Sequence, residues 1–306
     1  MSTKLFFNIA TDCEATQKSV NDAALGERAT SGLLEILGGE KLLGTFFVIP
    51  SDLEAHARLY RRAEREGHEV GLHLHPAELG YGEFCGVYGF DEQLEIIGKA
   101  AERFAQVMGR PPKTFCMGYG SANDHTYPAL VELGFTHGKC SIPTRVLPEC
   151  ASVWAGAPLD MHYAHRFNRL LAGDLDFVEI PSTLDPDSRH WGGKHPQDLR
   201  VELCDAKTHW YTIDKALKRQ ISARVPVPYI QAVTHNTFDF SDAKNFRRET
   251  LLGIIQAARQ LAGAHDCELV PATCADLAAE YRLRVTRKDS TPELVLDTRG
   301  RAFNRS

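Results

Sequence analysis

Short uninterrupted apolar runs alternate along this chain with stretches where apolar residues recur every three or four positions. Residues 5–10 and 44–49 read as buried strands, the second closed by Pro50. Ser51, with Glu54 three residues later, predicts a capping box opening a helix over 51–66 that ends at Gly67. A strand over 69–75 stops at Pro76, and a glycine-rich loop spans 80–89. Leu94, Ile97, Ala101, Phe104 and Met108 carry helical spacing through 91–108, up to Gly109. Further strands are expected at 114–120, 135–141, 177–180, 229–234 and 268–270, and helices at 123–133, 245–262 and 276–281. Residues 141–225 show little periodicity and read as long loops.

Strand–helix alternation of this kind predicts parallel strands with helices outside, an α/β fold. The length, 306 residues, suits one large barrel as well as two domains. A net charge of -5 without a basic stripe argues against a nucleic-acid partner. The apolar run at the start is too short and too soon interrupted for a signal peptide, and no stretch approaches a membrane span. The expectation is a soluble cytoplasmic protein. Its eight cysteines, none in a C-x-x-C pair, are then expected to be reduced.

Three features fall at strand ends, where a parallel barrel builds its active site. Asp12 and Glu14 follow the first strand two residues apart, a spacing that puts both carboxylates on one side. Two such acids repel unless a metal or a basic partner holds them ionised, although either also suits a helix cap. His73 and His75 repeat the spacing and make a ready pair of metal ligands, or two structural histidines. His235 ends the strand over 229–234 and suits a general acid at a rim, or a simple cap. Tyr81, Tyr88, Trp154, Tyr163 and Trp191 suit sugar stacking or, more often, core packing, and His162, His165 and Arg166 suit scattered structural positions before a sugar pocket.

In this order the pieces resemble the polysaccharide deacetylase family (NodB-homology, carbohydrate esterase). Residues 67–76, a glycine-led strand ending in two histidines and a proline, look like its second motif. The family usually has three residues between those histidines; one, as here, suggests the branch linked to O-antigen and other surface polysaccharides. Residues 45–48 are similar to a family core strand, Asp12 and Glu14 stand at its two-carboxylate motif, and residues 115–120 at its arginine–proline–tyrosine–glycine motif. His235 matches its late histidine.

The resemblance implies a distorted (β/α) barrel of seven or eight strands over residues 1–284, while the mixed-charge residues 285–306 read as a C-terminal tail or edge hairpin. It implies Asp12 as general base, with Glu14, His73 and His75 as ligands of a divalent metal. The roles of Asp12 and Glu14 are interchangeable on sequence alone. The metal is zinc first, with cobalt, nickel or manganese as alternatives. His235 becomes the general acid, and backbone at Gly118 and Tyr119 the oxyanion contact. The family arginine falls at Cys116, and Lys139, Arg145 and Arg166 are candidates to replace it. The expected reaction is removal of an acetyl group from an N-acetylated sugar or glycan precursor by metal-activated water. Hydrolysis of another C–N amide on the same scaffold, or silent sugar binding through loss of the arginine, are the alternatives.

Overall fold

The computed structural model describes residues 3–287. The chain runs β1 (Thr3–Cys13), α1 (Ala23–Gly39), β2 (Gly44–Val48), α2 (Pro50–Ala55), α3 (Ala57–Arg65), β3 (Glu69–Leu74), α4 (Phe90–Met108), β4 (Thr114–Met117), α5 (Thr126–Glu132) and β5 (His137–Lys139). Six short strands follow: β6 (Val146–Leu147), β7 (Ser152–Val153), β8 (His162–Tyr163), β9 (Val178–Glu179), β10 (Leu184–His190) and β11 (His195–Asp198). Then come α6 (Ala206–Ala223), β12 (Tyr229–His235), α7 (Phe246–Ala264), β13 (Cys267–Pro271) and α8 (Cys274–Arg284). The expected tail or hairpin over 285–306 lies outside the described residues except for 285–287. No helix among the described residues is long and apolar enough to cross a membrane.

The main sheet has the order β12-β1-β2-β3-β4-β5-β9-β8, parallel except at the β8–β9 edge. β13 pairs with the first half of β1, and β2 with its second half. The sheet curls into a distorted half-barrel with helices outside, as the alternation predicts. Residues 199–201 partly bridge its open side, exchanging backbone hydrogen bonds with Thr183 and Val233.

Period-two alternation sorts β1 between two cores. Leu5, Phe7 and Ile9 face the helices and pack with Leu33, Leu37 and Phe46; Phe6 and Ala10 face inward with Phe47, Cys116 and Val233. Burying one such Phe or Leu side chain is worth roughly 1.5–3 kcal/mol, so the outer layer carries most of the cohesion. The inner face is partly polar: Gln231 donates to Asn8, and Thr45 and Glu69 accept the first backbone N–H groups of α8. α8 thereby closes the bottom of the barrel, leaving the C-terminal strand ends open.

Several expectations are corrected. The helix over 51–66 is broken at His56 into α2 and α3. Its capping box does not form: Ser51 N–H donates to Glu78, and Glu54 pairs with Arg103. The strand over 114–120 stops at Met117, because Tyr119 turns into the left-handed region at φ 59°. The stretch 141–225 is not only loops but contains the 18-residue α6. The helix α1, which carries no sequence expectation, is capped by Asp22 accepting from Leu25 N–H.

Candidate metal centre and active site

Parallel register brings the chemistry to one level. Asp12 lies opposite His235 across the β1–β12 pair, while His73, Cys116 and Lys139 line up across β3, β4 and β5. Glu14 follows Asp12 by two residues, just past the end of β1. Asn236 fixes this segment: its Oδ1 accepts from the N–H groups of Glu14 and Ala15, while its Nδ2 donates to buried Asp52.

Glu14 Oε2 lies 2.8 Å from His75 Nε2 and 3.2 Å from His73 Nε2, and the two Nε2 atoms are 3.2 Å apart. The far side of each ring is also engaged. His73 Nδ1 is 3.1 Å from the Cys116 carbonyl, and His75 Nδ1 lies against Glu83 Oε1. A carbonyl only accepts, so His73 carries its proton on Nδ1 and turns a lone pair inward at Nε2. Acceptors from three side chains thus converge on one point, which is unfavourable unless a cation or a proton lies between them. A proton fills that role on His75: burial opposes it, but Glu14 and Glu83 push its pKa up to about 9. The donor set of two imidazoles and one carboxylate also fits a divalent metal. Bonds of about 2.0–2.2 Å place tetrahedral donors about 3.4 Å apart, a few tenths of an ångström wider than here. Glu83 and the Cys116 carbonyl are the outer partners that such ligands need to hold their orientation.

Asp12, His73 and Cys116 also approach one another closely. Burial and the nearby Asp12 push the Cys116 thiol well up, so it stays protonated and donates to Asp12 Oδ1 at 3.5 Å. That makes it a poor ligand, and Glu14 rather than Asp12 faces both imidazoles. Asp12 turns to the other wall, with its Oδ2 3.6 Å from Lys139 Nζ. Burial works against its charge, but Lys139, then His73 and His235, outweigh it and hold its carboxyl below the usual range. Of the three candidates for the missing arginine, Lys139 is the one at Asp12. Arg166 pairs with Asp174, and Arg145 bonds His195 and the Tyr119 carbonyl.

His235 Nε2 stands 4.0 Å from Asp12 Oδ2, and its Nδ1 is 3.5 Å from Glu202 Oε1. Burial opposes its protonation, and Glu202 more than compensates, raising its pKa. Gly118 packs against His75: a Cβ there would meet the ring at 2.7 Å and the Leu74 carbonyl at 2.7 Å. Only glycine fits this approach, and it delivers the Tyr119 backbone to the rim while the Tyr119 ring lies edge-on to His75.

Asp12, Glu14, His73, His75, Tyr119, Lys139 and His235 line one cleft of about 360 Å³. Of the five aromatics considered for sugar stacking, only Trp191 lines it. Trp154 and Tyr163 are buried in the cores, and Tyr81 and Tyr88 pair with each other in the 80–89 loop. His162, His165 and Arg166 do not line it either. Asn236, Glu83, Glu202 and Arg200 have no local signal in the sequence; each reaches the site from a loop or strand end fixed only by the fold.

The architecture is that of the polysaccharide deacetylase barrels. The sequence pattern of the Polysaccharide deacetylase family matches residues 19–138, a stretch that includes His73, His75 and Cys116 but not Asp12, Glu14 or His235. A Mycobacterium smegmatis protein assigned as a polysaccharide deacetylase superposes with a TM-score of 0.60 at 17% identity, over 96% of both chains. A Pseudomonas aeruginosa PAO1 protein assigned likewise gives 0.59 at 13%, over 92% of both. Puue allantoinase gives 0.58 at 12%, over 92% of this chain and 91% of that one. No curated protein matches the sequence.

Proposed function

We propose that this protein is a divalent-metal-dependent amide hydrolase that removes the acetyl group from an N-acetylated sugar. The observation that carries the reading is the convergence of Glu14 Oε2 with the Nε2 atoms of His73 and His75, with Asp12 and His235 close by. Glu14, His73 and His75 would hold the cation. When bound, it lowers the pKa of water towards about 7 and polarises the acetyl carbonyl; zinc suits two imidazoles and a carboxylate best.

The other steps belong to the chain. Asp12, kept ionised by Lys139, takes the proton of the attacking water at Oδ2. A positioned base of this kind is worth about 10²–10⁴ in rate. The leaving amine needs a proton, and His235, kept protonated by Glu202, supplies it from Nε2. Backbone at Gly118 and Tyr119 forms the wall where the oxyanion develops, and one such donor contributes about 3–4 kcal/mol. The cleft volume accommodates a substrate of about one sugar ring. The one-residue histidine spacing is the basis for the surface-polysaccharide branch.

Metal analysis with an acetate-release assay tests the reading. His73→Ala and His75→Ala lose metal and turnover together. His235→Ala keeps the metal and loses turnover by about 10²–10⁴-fold. Full activity in metal-stripped protein would sink the mechanism.

The likeness to Puue allantoinase favours a second reading, hydrolysis of a ureide C–N bond by the same residues. Hydrolysis of a cyclic ureide to a ring-opened ureido acid by the metal-loaded protein, with no acetate released from N-acetyl sugars, would select it.

A further inference from the structure

The cleft is lined by cations beyond the one that serves Asp12. Lys139 is committed to Asp12, but two more cations, Arg145 and Arg200, line the same space. Among the described residues neither has a carboxylate oxygen within ion-pair distance. Arg145 is 2% exposed. Its Nε donates to His195 Nδ1 at 3.0 Å and its Nη1 to the Tyr119 carbonyl at 2.7 Å, which leaves Nη2 without a hydrogen bond among the described residues. Arg200 Nε is buried with no partner, and no hydrogen bond from its terminal nitrogens is present among the described residues.

Burial opposes the Arg200 charge, and Asp198, Glu202, Asp12 and Glu14 outweigh it from longer range and raise its pKa, but none of them lies within ion-pair distance, and a buried guanidinium N–H without a partner is costly. Burial and the neighbouring Arg200 push the Arg145 pKa down to about 9, and Asp198 offsets this only in part. Both groups stay charged at neutral pH, and each repels the other. Beside them, Trp191 is half exposed and held at φ 52°, a left-handed conformation that costs a bulky residue of order 1–3 kcal/mol. It is stacked on His195 with ring centres 4.2 Å apart and planes 16° apart, and the Arg145 guanidinium lies 5.8 Å from its ring. Arg145 with an Nη2 that makes no hydrogen bond among the described residues, Arg200 with an unpartnered Nε, and a braced aromatic wall, all lining the cleft of the proposed metal ligands, fit a group that is negatively charged and attached to a ring.

We propose that Arg145 and Arg200 form an anion subsite, so that the N-acetylated substrate carries a carboxylate or phosphate on the sugar ring that packs against Trp191. This rests on the hydrolase reading, whose cleft it shares. Guanidinium forks match the planar oxygens of either anion.

Calorimetric binding to the zinc-loaded protein tests it, with N-acetylglucosamine, N-acetylglucosamine 6-phosphate and N-acetylmuramic acid as probes. One anionic probe binds at least tenfold more tightly than the neutral sugar, and which one does so separates phosphate from carboxylate. Arg145→Gln and Arg200→Gln each cut that preference below threefold, and Arg200→Gln does so with zinc content, thermal midpoint and neutral-sugar binding unchanged; Arg145→Lys keeps part of the preference. Because Arg145 is buried and also holds Tyr119, the more accessible Arg200→Gln carries the test if the first variant misfolds. Equal binding of all three probes overturns the subsite, as does an anion preference that survives Arg200→Gln, which would assign the anion to the metal alone. Zinc binding and turnover of the neutral sugar without any anion preference would remove the subsite and leave the hydrolase. An arginine-dependent preference without turnover of any amide would do the reverse.

Discussion

A cysteine side chain is too short and too weakly polar to neutralise Asp12, and the cation that does so comes from the next strand over. Cys116 and Lys139 are paired in the β4–β5 register, so Lys139 reaches Asp12 from beyond the position the family arginine would occupy. This makes a prediction about activity against pH. Lys139 pulls the Asp12 pKa down against burial, so removing it lets that pKa rise. A base must be ionised to work, so in Lys139→Met the acid limb of kcat/KM moves to higher pH, while Lys139→Arg keeps it near the wild-type position. Rate profiles between pH 5 and 9 measure this, and an unmoved acid limb in Lys139→Met would remove Asp12 as the base. The histidine pair and both acids are legible in the chain because period two is a local rule. The choice among Lys139, Arg145 and Arg166 is not, because it depends on which strand neighbours which.

At the scale of elements, the site depends on a clamp between the segment after β1 and the end of β12. Asn236 accepts two backbone N–H groups at Glu14 and Ala15 and is itself tied to Asp52, which Tyr60 of α3 also bonds at 2.6 Å. Asn236→Ala leaves those donors without a partner at a cost of about 1–3 kcal/mol, most of it local. Metal affinity is expected to fall by about 10–100-fold, the usual effect of losing an outer support, with overall helix content unchanged. A zinc titration against a competing chelator reads this, and wild-type affinity would show that Glu14 is held by other means. The sequence also has a boundary of legibility here. α4 and α7 stand out because long apolar stripes end at Gly109 or begin after Asn245. α1 hides because Gly26, Thr30 and Gly32 lie on its buried face; Gly32 is required there, since a Cβ would meet Ser241 N at 2.3 Å. α6 has a proper stripe in Ile213, Ala216, Leu217 and Gln220, but it follows a stretch of His, Pro and Trp loops that masks its start.

Over the whole molecule, two of the histidines with shifted pKa values contribute opposite slopes to stability, and their windows meet without overlapping. His162 in β8 is buried, bonds the Asp160 carbonyl through Nδ1, and has no partner at Nε2. Burial pushes its pKa down to about 4, with Asp160 offsetting only part. As pH falls from about 6.5 to 4 the unfolded chain takes up a proton that the folded chain refuses, so stability falls with pH across that window. At about 1.36 kcal/mol per unit, this single group removes roughly 2–3 kcal/mol by pH 4.5. His75 has the opposite sign in metal-free protein. Its folded pKa of about 9 exceeds the ordinary value, so its contribution is complete below pH 6.5 and is lost as pH rises towards 9. These two terms together place maximum stability of the metal-free protein near pH 6.5. His162→Asn keeps a donor for the Asp160 carbonyl and removes the titrating ring, so it flattens the acid side and leaves the alkaline side as it was. Urea unfolding of the metal-free protein at pH 4.5, 6.5 and 8.5 measures both limbs. An acid limb equally steep in wild type and His162→Asn would show that its source is elsewhere, in carboxylates such as Asp198, which burial opposes but His195 and Arg200 hold well below the usual range.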